Sequence, residues 1–175
     1  AESALKYTWQ EAGHEGIRQS DYWRIVVFGV GGAGNNTLTR MMETNVVSAE
    51  CVAVNTDSHH LCSSKANKRI LIGEKLARGL GVGGNPKLGR AAIVESKKRI
   101  EDLLLGVDVA FIIAGLGGGT GTGAAPVVAE IARRKGAITV GVVTMPFRTE
   151  KGRQEYAATA LKEMRRQCDT VVVID

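Results

Sequence analysis

Cysteine, proline and aromatic residues are scarce in this sequence, and each scarcity excludes a class of protein. The 175 residues include three cysteines, three prolines and 5% aromatic residues. Three scattered cysteines without a Cys-x-x-Cys pair suit a reducing compartment, with the thiols as small core residues. Low proline content beside 44% hydrophobic residues argues against low-complexity disorder. The composition therefore predicts one ordinary domain, since a chain of this length buries roughly 70% of its unfolded surface.

Long apolar runs and a leader sequence are missing as well. No apolar stretch approaches the roughly 18 residues that a membrane helix requires. The first residues lack the basic start and apolar core of a signal peptide. We therefore expect a cytoplasmic protein without direct membrane insertion. The net charge is +5, but no basic stripe is interleaved with aromatic residues, so no nucleic-acid partner is expected.

Short β-branched runs alternate with amphipathic segments along most of the chain. The runs occupy residues 25–28, 51–54, 69–72, 109–114, 138–143 and 171–174. Helices are predicted over residues 35–44, 86–105, 124–135 and 150–167. This alternation predicts an α/β fold of the Rossmann-like, doubly wound kind, with a mostly parallel six-stranded sheet and helices on both faces. Residues 1–22 are polar and are interpreted as an N-terminal extension, and residues 23–175 as the folded domain.

Glycine is abundant, and many of its 22 residues fall in clusters that follow predicted strands. Residues 29–34 form a G-x-G-x-x-G motif between a strand and a helix, where backbone N–H groups and the helix dipole attract phosphate. Alone, this motif is typical of a dinucleotide site with Asp57 as the ribose acid, or of a tight turn that packs helix on strand. A second cluster, residues 115–123, follows the fourth strand. Strands one and four are neighbours in a sheet ordered 3-2-1-4-5-6, so both loops should face one crevice.

Two glycine loops facing each other suit a longer phosphate chain than one pyrophosphate. Thr120 and Thr122 add hydroxyl donors that glycine cannot supply. No Gly-x-x-x-x-Gly-Lys-Ser/Thr motif occurs in the sequence, so this is not a P-loop protein. A nucleoside triphosphate held by backbone amides is the resulting hypothesis.

The second cluster also carries a family resemblance. Residues 117–123 read Gly-Gly-Gly-Thr-Gly-Thr-Gly and continue as Ala-Ala-Pro-Val-Val-Ala. This run resembles the signature of the tubulin/FtsZ family, in its FtsZ form. Residues 29–36, 55–57, 79–86 and 144–147 fall in the order and at about the spacings that the family shows. Ala33 and the doubled Asn35-Asn36, together with the N-terminal extension, resemble archaeal more than bacterial members.

The resemblance implies a GTP-binding and GTP-hydrolysing cytoskeletal protein that polymerises head to tail into protofilaments and forms the cell-division ring. It implies GTP or GDP and Mg²⁺ as ligands, division-ring anchoring proteins as partners, and a cytoplasmic location at the division site. Guanine as the base is implied by the resemblance alone.

The resemblance also implies a set of binding residues. Contacts with the phosphates and sugar would come from Gly31, Gly32, Ala33, Gly34, Asn35 and Asn36. The main phosphate loop would be Gly117, Gly118, Gly119, Thr120, Gly121 and Thr122. The γ-phosphate would lie beside Gly81, Gly83, Gly84 and Asn85. Asn55 and Asp57 would lie near the phosphates, and Asp57 would hold a water of a partly hydrated Mg²⁺. Glu150 would contact the ribose, and Arg153 follows it one position earlier than the family's usual arginine.

The family pattern continues past the last residue of this sequence. In the family there follow an Asn that contacts the nucleotide, a central helix with a base-reading Asp, an acidic loop that completes the neighbouring subunit's active site, and a C-terminal domain. We therefore expect this sequence to be the nucleotide-binding half of a larger protein, with no catalytic residue of its own. It should bind GTP weakly, hydrolyse it very slowly and not polymerise.

Two alternatives to a GTPase remain open on the sequence, and a third hypothesis, a metal site, is not favoured. The G-x-G-x-x-G motif with Asp57 also fits an NAD(P)-binding Rossmann oxidoreductase domain. A non-catalytic assembly module would bind nucleotide only to hold its shape. A metal site formed by Asp57, His59, His60 and Cys62 lacks a second pair of ligands, so these residues are interpreted as the start of a short helix.

Overall fold

The structure, a computed structural model, describes residues 22–45, 48–147 and 149–174, without the side chain of Lys151. The predicted N-terminal extension lies outside these residues apart from residue 22. The described strands are β1 (Ile25–Val30), β2 (Glu50–Asn55), β3 (Lys68–Leu71), β4 (Val109–Gly115), β5 (Ile138–Thr144) and β6 (Thr170–Ile174). The described helices are α1 (Gly31–Glu43), α2 (Ser58–Ser63), α3 (Glu74–Ala77), α4 (Pro86–Glu95), α5 (Lys97–Leu103), α6 (Thr120–Arg134) and α7 (Lys151–Gln167).

All six strands form one parallel sheet in the order β3-β2-β1-β4-β5-β6. In the centre, Val27 of β1 lies opposite Cys51 of β2 and Phe111 of β4. The predicted doubly wound fold and strand order are therefore confirmed. Because every strand runs the same way, their carboxyl ends meet at one edge, where ligands bind in folds of this type.

Alternate residues of the strands enter two separate hydrophobic clusters, one on each face of the sheet. Val26, Phe28 and Val30 of β1 pack with residues of α4, α5, α6 and α7, whereas Val27 packs with Leu38 of α1. The faces are unequally covered, since Ile138 of β5 and the Val172 and Ile174 side chains of β6 are exposed. Helices thus lie on both faces, as predicted, with more of them on the first.

Several helix boundaries differ from the predicted ones. Helices α1 and α6 begin at Gly31 and Thr120, inside the glycine clusters, so the clusters form first turns rather than loops alone. The helix predicted over residues 86–105 is two helices that meet at Ser96, whose hydroxyl accepts a hydrogen bond from the Gly73 N–H (3.2 Å). The predicted Asn85 cap is present, because its side chain accepts from the N–H groups of residues 87 and 88.

The cysteines correct one sequence-based expectation. Cys51 is buried and Cys168 partly buried, but Cys62 is exposed on α2, so it is not a core residue. Burial raises the pKa of the Cys51 thiol, and burial with the nearby Asp169 carboxylate raises the pKa of Cys168 to about 11. Both of these thiols therefore stay protonated and weakly nucleophilic near neutral pH. Among the described residues, no helix has the length and apolarity needed to cross a membrane.

Candidate functional site

A cavity of about 600 Å³ lies at the carboxyl edge of the sheet. The last residues of four strands line it: Val30 of β1, Asn55 of β2, Gly115 of β4 and Thr144 of β5. The remaining wall comes from the segments that follow these strands and from residues 80–84. The predicted crevice between strands one and four is therefore present.

The two glycine clusters touch each other through their backbones on one side of this cavity. Gly31 has a φ of +73°, and a Cβ atom added to it would lie 2.7 Å from the Gly121 backbone nitrogen. A Cβ on Gly121 would in turn lie 3.3 Å from the carbonyl oxygen of Val30, the residue before Gly31. Only glycine permits this approach, because any side chain would separate the first turns of α1 and α6.

The helices that begin in these clusters both present their N-termini to the cavity. Their cap positions, Val30 and Gly119, provide no side-chain hydrogen bond to the first turn in the described part of the molecule. Neighbouring helices differ, since Asp57 caps α2 and Asn85 caps α4 through their side chains. Each uncapped N-terminus carries about half a positive charge with unpaired N–H groups, so the cavity is suited to an anion.

A third wall is joined to the first two by specific contacts. The Gly81 N–H donates to the Thr56 carbonyl oxygen (3.1 Å), which holds the 80–84 segment against the end of β2. A Cβ on Gly119 would lie 2.6 Å from Val82 and 2.9 Å from the Asn85 nitrogen. Residues 80–84 therefore pack directly on the loop that precedes α6.

Buried amides support the floor of the cavity from below. The Asn35 side chain donates from Nδ2 to the carbonyl oxygens of Gly29 (2.7 Å) and Val54 (3.3 Å). Its Oδ1 accepts from Asn55 Nδ2 (2.7 Å), and Asn55 Oδ1 accepts from the Thr56 N–H (2.8 Å). This chain of hydrogen bonds ties the starts of α1 and of the 56–57 segment to β1 and β2.

Two carboxylates line the cavity among the described residues. Glu150 pairs with Arg153 (Oε2 to Nη1, 2.6 Å), so much of its charge is compensated. The Asp57 carboxylate makes no ion pair with any described residue and accepts only the His60 N–H, through Oδ1 (3.0 Å). The second oxygen of Asp57 therefore remains available for a cation or its water. The described residues contain no cluster of three or more metal-ligating side chains, and residues 58–63 form the predicted short helix.

Comparison with known proteins identifies the family. Residues 24–175 match the model of the "Tubulin/FtsZ family, GTPase domain". The chain belongs to the tubulin/FtsZ family. The resemblance drawn from the glycine-threonine run is thereby confirmed.

Archaeal FtsZ proteins are among the similar sequences. Cell division protein FtsZ 2 of Methanocaldococcus jannaschii is 54% identical over 87% of this chain and 40% of its own length. Cell division protein FtsZ 1 of Pyrococcus furiosus is 55% identical over 86% of this chain and 41% of its own length. The chain thus spans about two fifths of the length of these relatives.

Solved structures of the family share the fold. An empty FtsZ dimer from M. jannaschii matches with a TM-score of 0.86 and 48% identity over 99% of this chain and 48% of its own. A GTPγS-bound protofilament of CetZ2 from Haloferax volcanii matches with a TM-score of 0.78 and 31% identity over 87% of this chain and 49% of its own. These findings give no support to the alternative of an NAD(P)-dependent oxidoreductase.

Most residues that the tubulin/FtsZ resemblance singled out line the cavity. They are Gly32, Ala33, Asn55, Asp57, Gly81, Gly83, Gly84, Gly117, Gly118, Gly119, Thr120, Gly121, Glu150 and Arg153. The others are not among the lining residues: Gly31, Gly34, Asn35, Asn36, Asn85 and Thr122. Among the latter, the Thr122 hydroxyl accepts from the Gly117 N–H (2.8 Å) and so shapes the loop from inside. Asn36 Oδ1 pairs with His60 Nε2 (2.9 Å), on the exposed side of α1.

Sequence reasoning missed other residues that line the cavity, including Thr56, His60 and Val82. The Thr56 Oγ1 lies 2.7 Å from Thr120 Oγ1, so a hydroxyl from the residue after β2 meets one from α6. Its position between Asn55 and Asp57, both named from the motif, was the available signal. Val82 and His60 carry no such signal, because their packing against Gly119 and Gly32 depends on segments that are distant in sequence.

Proposed function

We propose that this chain is a nucleotide-binding domain that holds GTP or GDP with Mg²⁺ in the cavity between β1 and β4. The observation that carries this proposal is the pair of uncapped helix N-termini, α1 and α6, that face one cavity across touching glycines. Unpaired N–H groups on two sides suit a longer chain of phosphates better than they suit a single pyrophosphate. The guanine base is supported by the family alone.

The residues implied by the tubulin/FtsZ resemblance take separate roles in this proposal. The backbones of residues 32–33 and 117–121 bind the phosphates, Gly31 and Gly34 complete the same helical turn, and Gly81, Gly83 and Gly84 lie beside the γ-phosphate. The Glu150–Arg153 pair lies at the ribose. Asn35, Asn85 and Thr122 act by holding these segments in place, since their side chains are occupied by internal hydrogen bonds.

The direct test is the identity of the bound nucleotide. Purified chain is denatured, and the released nucleotide is identified by mass spectrometry. The chain is also titrated calorimetrically with GTP, GDP, ATP and NAD⁺. We expect GTP and GDP to be released or to bind, with NAD⁺ giving no heat. Absence of guanine-nucleotide binding, or displacement of GDP by NAD⁺, would overturn the proposal.

The Mg²⁺ part of the proposal rests on Asp57. A partly hydrated Mg²⁺ is usually bound by one or two carboxylates and the phosphates, and Asp57 is the cavity carboxylate that no described cation pairs with. When bound, the ion supplies charge neutralisation for the β- and γ-phosphates. The residues present fit such an ion held partly through water.

Replacing Asp57 by Asn should separate Mg²⁺ binding from folding. Asparagine caps a helix about as well as aspartate, so α2 should remain intact. We expect Mg²⁺ to tighten GTP binding to the wild type by about tenfold or more and to change binding to Asp57→Asn by no more than about twofold. Titrations with and without Mg²⁺ measure the ratio, and Asp102→Asn, on α5 outside the cavity lining, is the control. If Mg²⁺ tightened GTP binding equally in the wild type and in Asp57→Asn, Asp57 would be excluded from the metal site.

For the whole protein we propose GTP-dependent head-to-tail assembly into protofilaments at the cytoplasmic cell-division ring. In this proposal an acidic loop of the adjacent subunit completes GTP hydrolysis, and anchoring proteins are further partners. The relatives named for cell division and the CetZ2 protofilament support this proposal. The cavity supports it too, since Asp57 and the paired Glu150 are its two carboxylates among the described residues, which leaves few groups to orient an attacking water.

A further inference from the structure

We infer that Thr56 is a positioning residue whose hydroxyl donates to Thr120 Oγ1 and thereby directs the Thr120 hydroxyl proton into the cavity, toward a phosphate oxygen. This inference rests on the proposed function, since it concerns the same anion site. Thr56 itself does not need to touch the nucleotide. Its role is to set which way a neighbouring hydroxyl points.

The two hydroxyls form a pair that lies mostly out of contact with solvent. Thr56 is 0% exposed and Thr120 is 9% exposed, and their oxygens are 2.7 Å apart. Thr120 is the first residue of α6, so its hydroxyl lies beside the unpaired N–H groups of that helix. A hydroxyl there can add one donor to those that an anion would meet.

The surroundings decide which hydroxyl donates. One proton lies between the two oxygens, and the other hydroxyl proton must find a second acceptor. Among the described residues, Thr56 Oγ1 makes no hydrogen bond besides the one to Thr120. If Thr120 donated, the Thr56 proton would be buried and unpaired, which is costly. If Thr56 donates, the Thr120 proton is left for the cavity, where water or phosphate accepts it.

The backbone of Thr56 is held from two sides, which gives the donor a defined position. Its N–H donates to Asn55 Oδ1 (2.8 Å), and its carbonyl oxygen accepts from the Gly81 N–H (3.1 Å). Asn55 is in turn held by Asn35 of α1. The hydroxyl of Thr56 therefore links the end of β2 and the 80–84 segment to the first turn of α6.

The test is a double-mutant cycle on nucleotide affinity. Valine replaces threonine with nearly the same shape and removes the hydroxyl. We expect Thr120→Val to raise the Kd for GTP by about tenfold, because a hydrogen bond to a charged group is lost. Thr56→Val should raise the Kd by about fivefold through misorientation of Thr120. The double variant should bind like Thr120→Val alone, since Thr56 acts only through that hydroxyl.

Two further variants separate positioning from loss of fold. Thr56→Ser keeps the hydroxyl and should restore most of the affinity that Thr56→Val loses. Thr139→Val is the matched control, because Thr139, on β5 and away from the cavity lining, is also 0% exposed and its hydroxyl donates to the Ala137 carbonyl oxygen (3.0 Å). We expect it to lower the melting temperature without changing the Kd for GTP. Circular dichroism confirms that each variant is folded at the titration temperature.

The outcomes distinguish this inference from the proposed function. Wild-type binding with an unchanged Kd in Thr56→Val would overturn the inference alone. So would a double variant that loses about fiftyfold, the product of the two single effects, or a Thr56→Ser variant no better than valine. Absence of guanine-nucleotide binding by the wild type would overturn the proposed function and the inference with it.

Discussion

Gly31→Ala is expected to abolish useful nucleotide binding, with a loss of about a hundredfold or more in affinity for GTP. The new Cβ would lie 2.7 Å from the Gly121 backbone nitrogen and 3.1 Å from the Gly121 Cα. Neither atom can move without shifting the first turn of α6. Several backbone N–H groups of that turn would then no longer point at the phosphates. Alanine would also be strained by the positive φ of +73° at this position. The free energy of unfolding should therefore fall by about 3 kcal/mol.

Gly136→Ala is the matched control for this prediction. Gly136 has a similarly positive φ of +86°, but a Cβ there would meet no described atom within 4 Å. It follows α6 at the opposite end from the cavity. Its substitution should therefore cost about 1 kcal/mol from strain alone and leave the Kd for GTP unchanged. Calorimetric titration and urea denaturation measure both quantities, and equal effects in the two variants would show that contact between the glycine clusters is unimportant.

Asn35→Ala should destabilise the domain by about 3 kcal/mol, a large part of the stability of a domain of this size. The substitution would leave the Gly29 and Val54 carbonyl oxygens without the Asn35 donor and Asn55 Nδ2 without its acceptor. All of this occurs at a site that is 0% exposed, where water cannot easily replace the lost partners. The lost side chain also leaves a cavity beneath the phosphate-facing loops.

The adjacent Asn36 provides the control for Asn35. Its side chain is exposed, and its hydrogen bond to His60 is at the surface. Asn36→Ala should change the free energy of unfolding by no more than about 0.5 kcal/mol, because alanine has the higher helix propensity and water replaces the lost bond. Urea denaturation of both variants tests the difference. If Asn35→Ala were as mild as Asn36→Ala, the buried amide chain would not stabilise the site.

Much of the fold could be predicted because local patterns carry it. The six strands appear as continuous β-branched runs, and their parallel order follows from the alternation with helices. The Asn85-Pro86 start of α4 was readable for the same reason, since a cap depends on neighbouring residues only. The break at Ser96 was not readable, because its partner, the Gly73 N–H, lies 23 residues away.

In the candidate site too, features set by neighbouring residues could be predicted, and features set by distant partners could not. Glycine clusters after two strands, together with the long glycine-threonine run, were enough to predict a phosphate site and the family. They did not separate Asn35 from Asn36, or Thr120 from Thr122. Successive positions on a helix point about 100° apart, so packing decides which neighbour is buried and which faces the cavity.

By itself, the sequence determined the sheet, the two phosphate-facing loops and membership of the tubulin/FtsZ family, because each of these depends on patterns within short segments of the chain. Tertiary structure alone decided that Asn35 and Thr122 support the site from within, and that Thr56 meets Thr120 across 64 residues. The physical reason is that a buried hydroxyl or amide takes its role from the partner that folding brings to it, and that partner is rarely a neighbour in sequence.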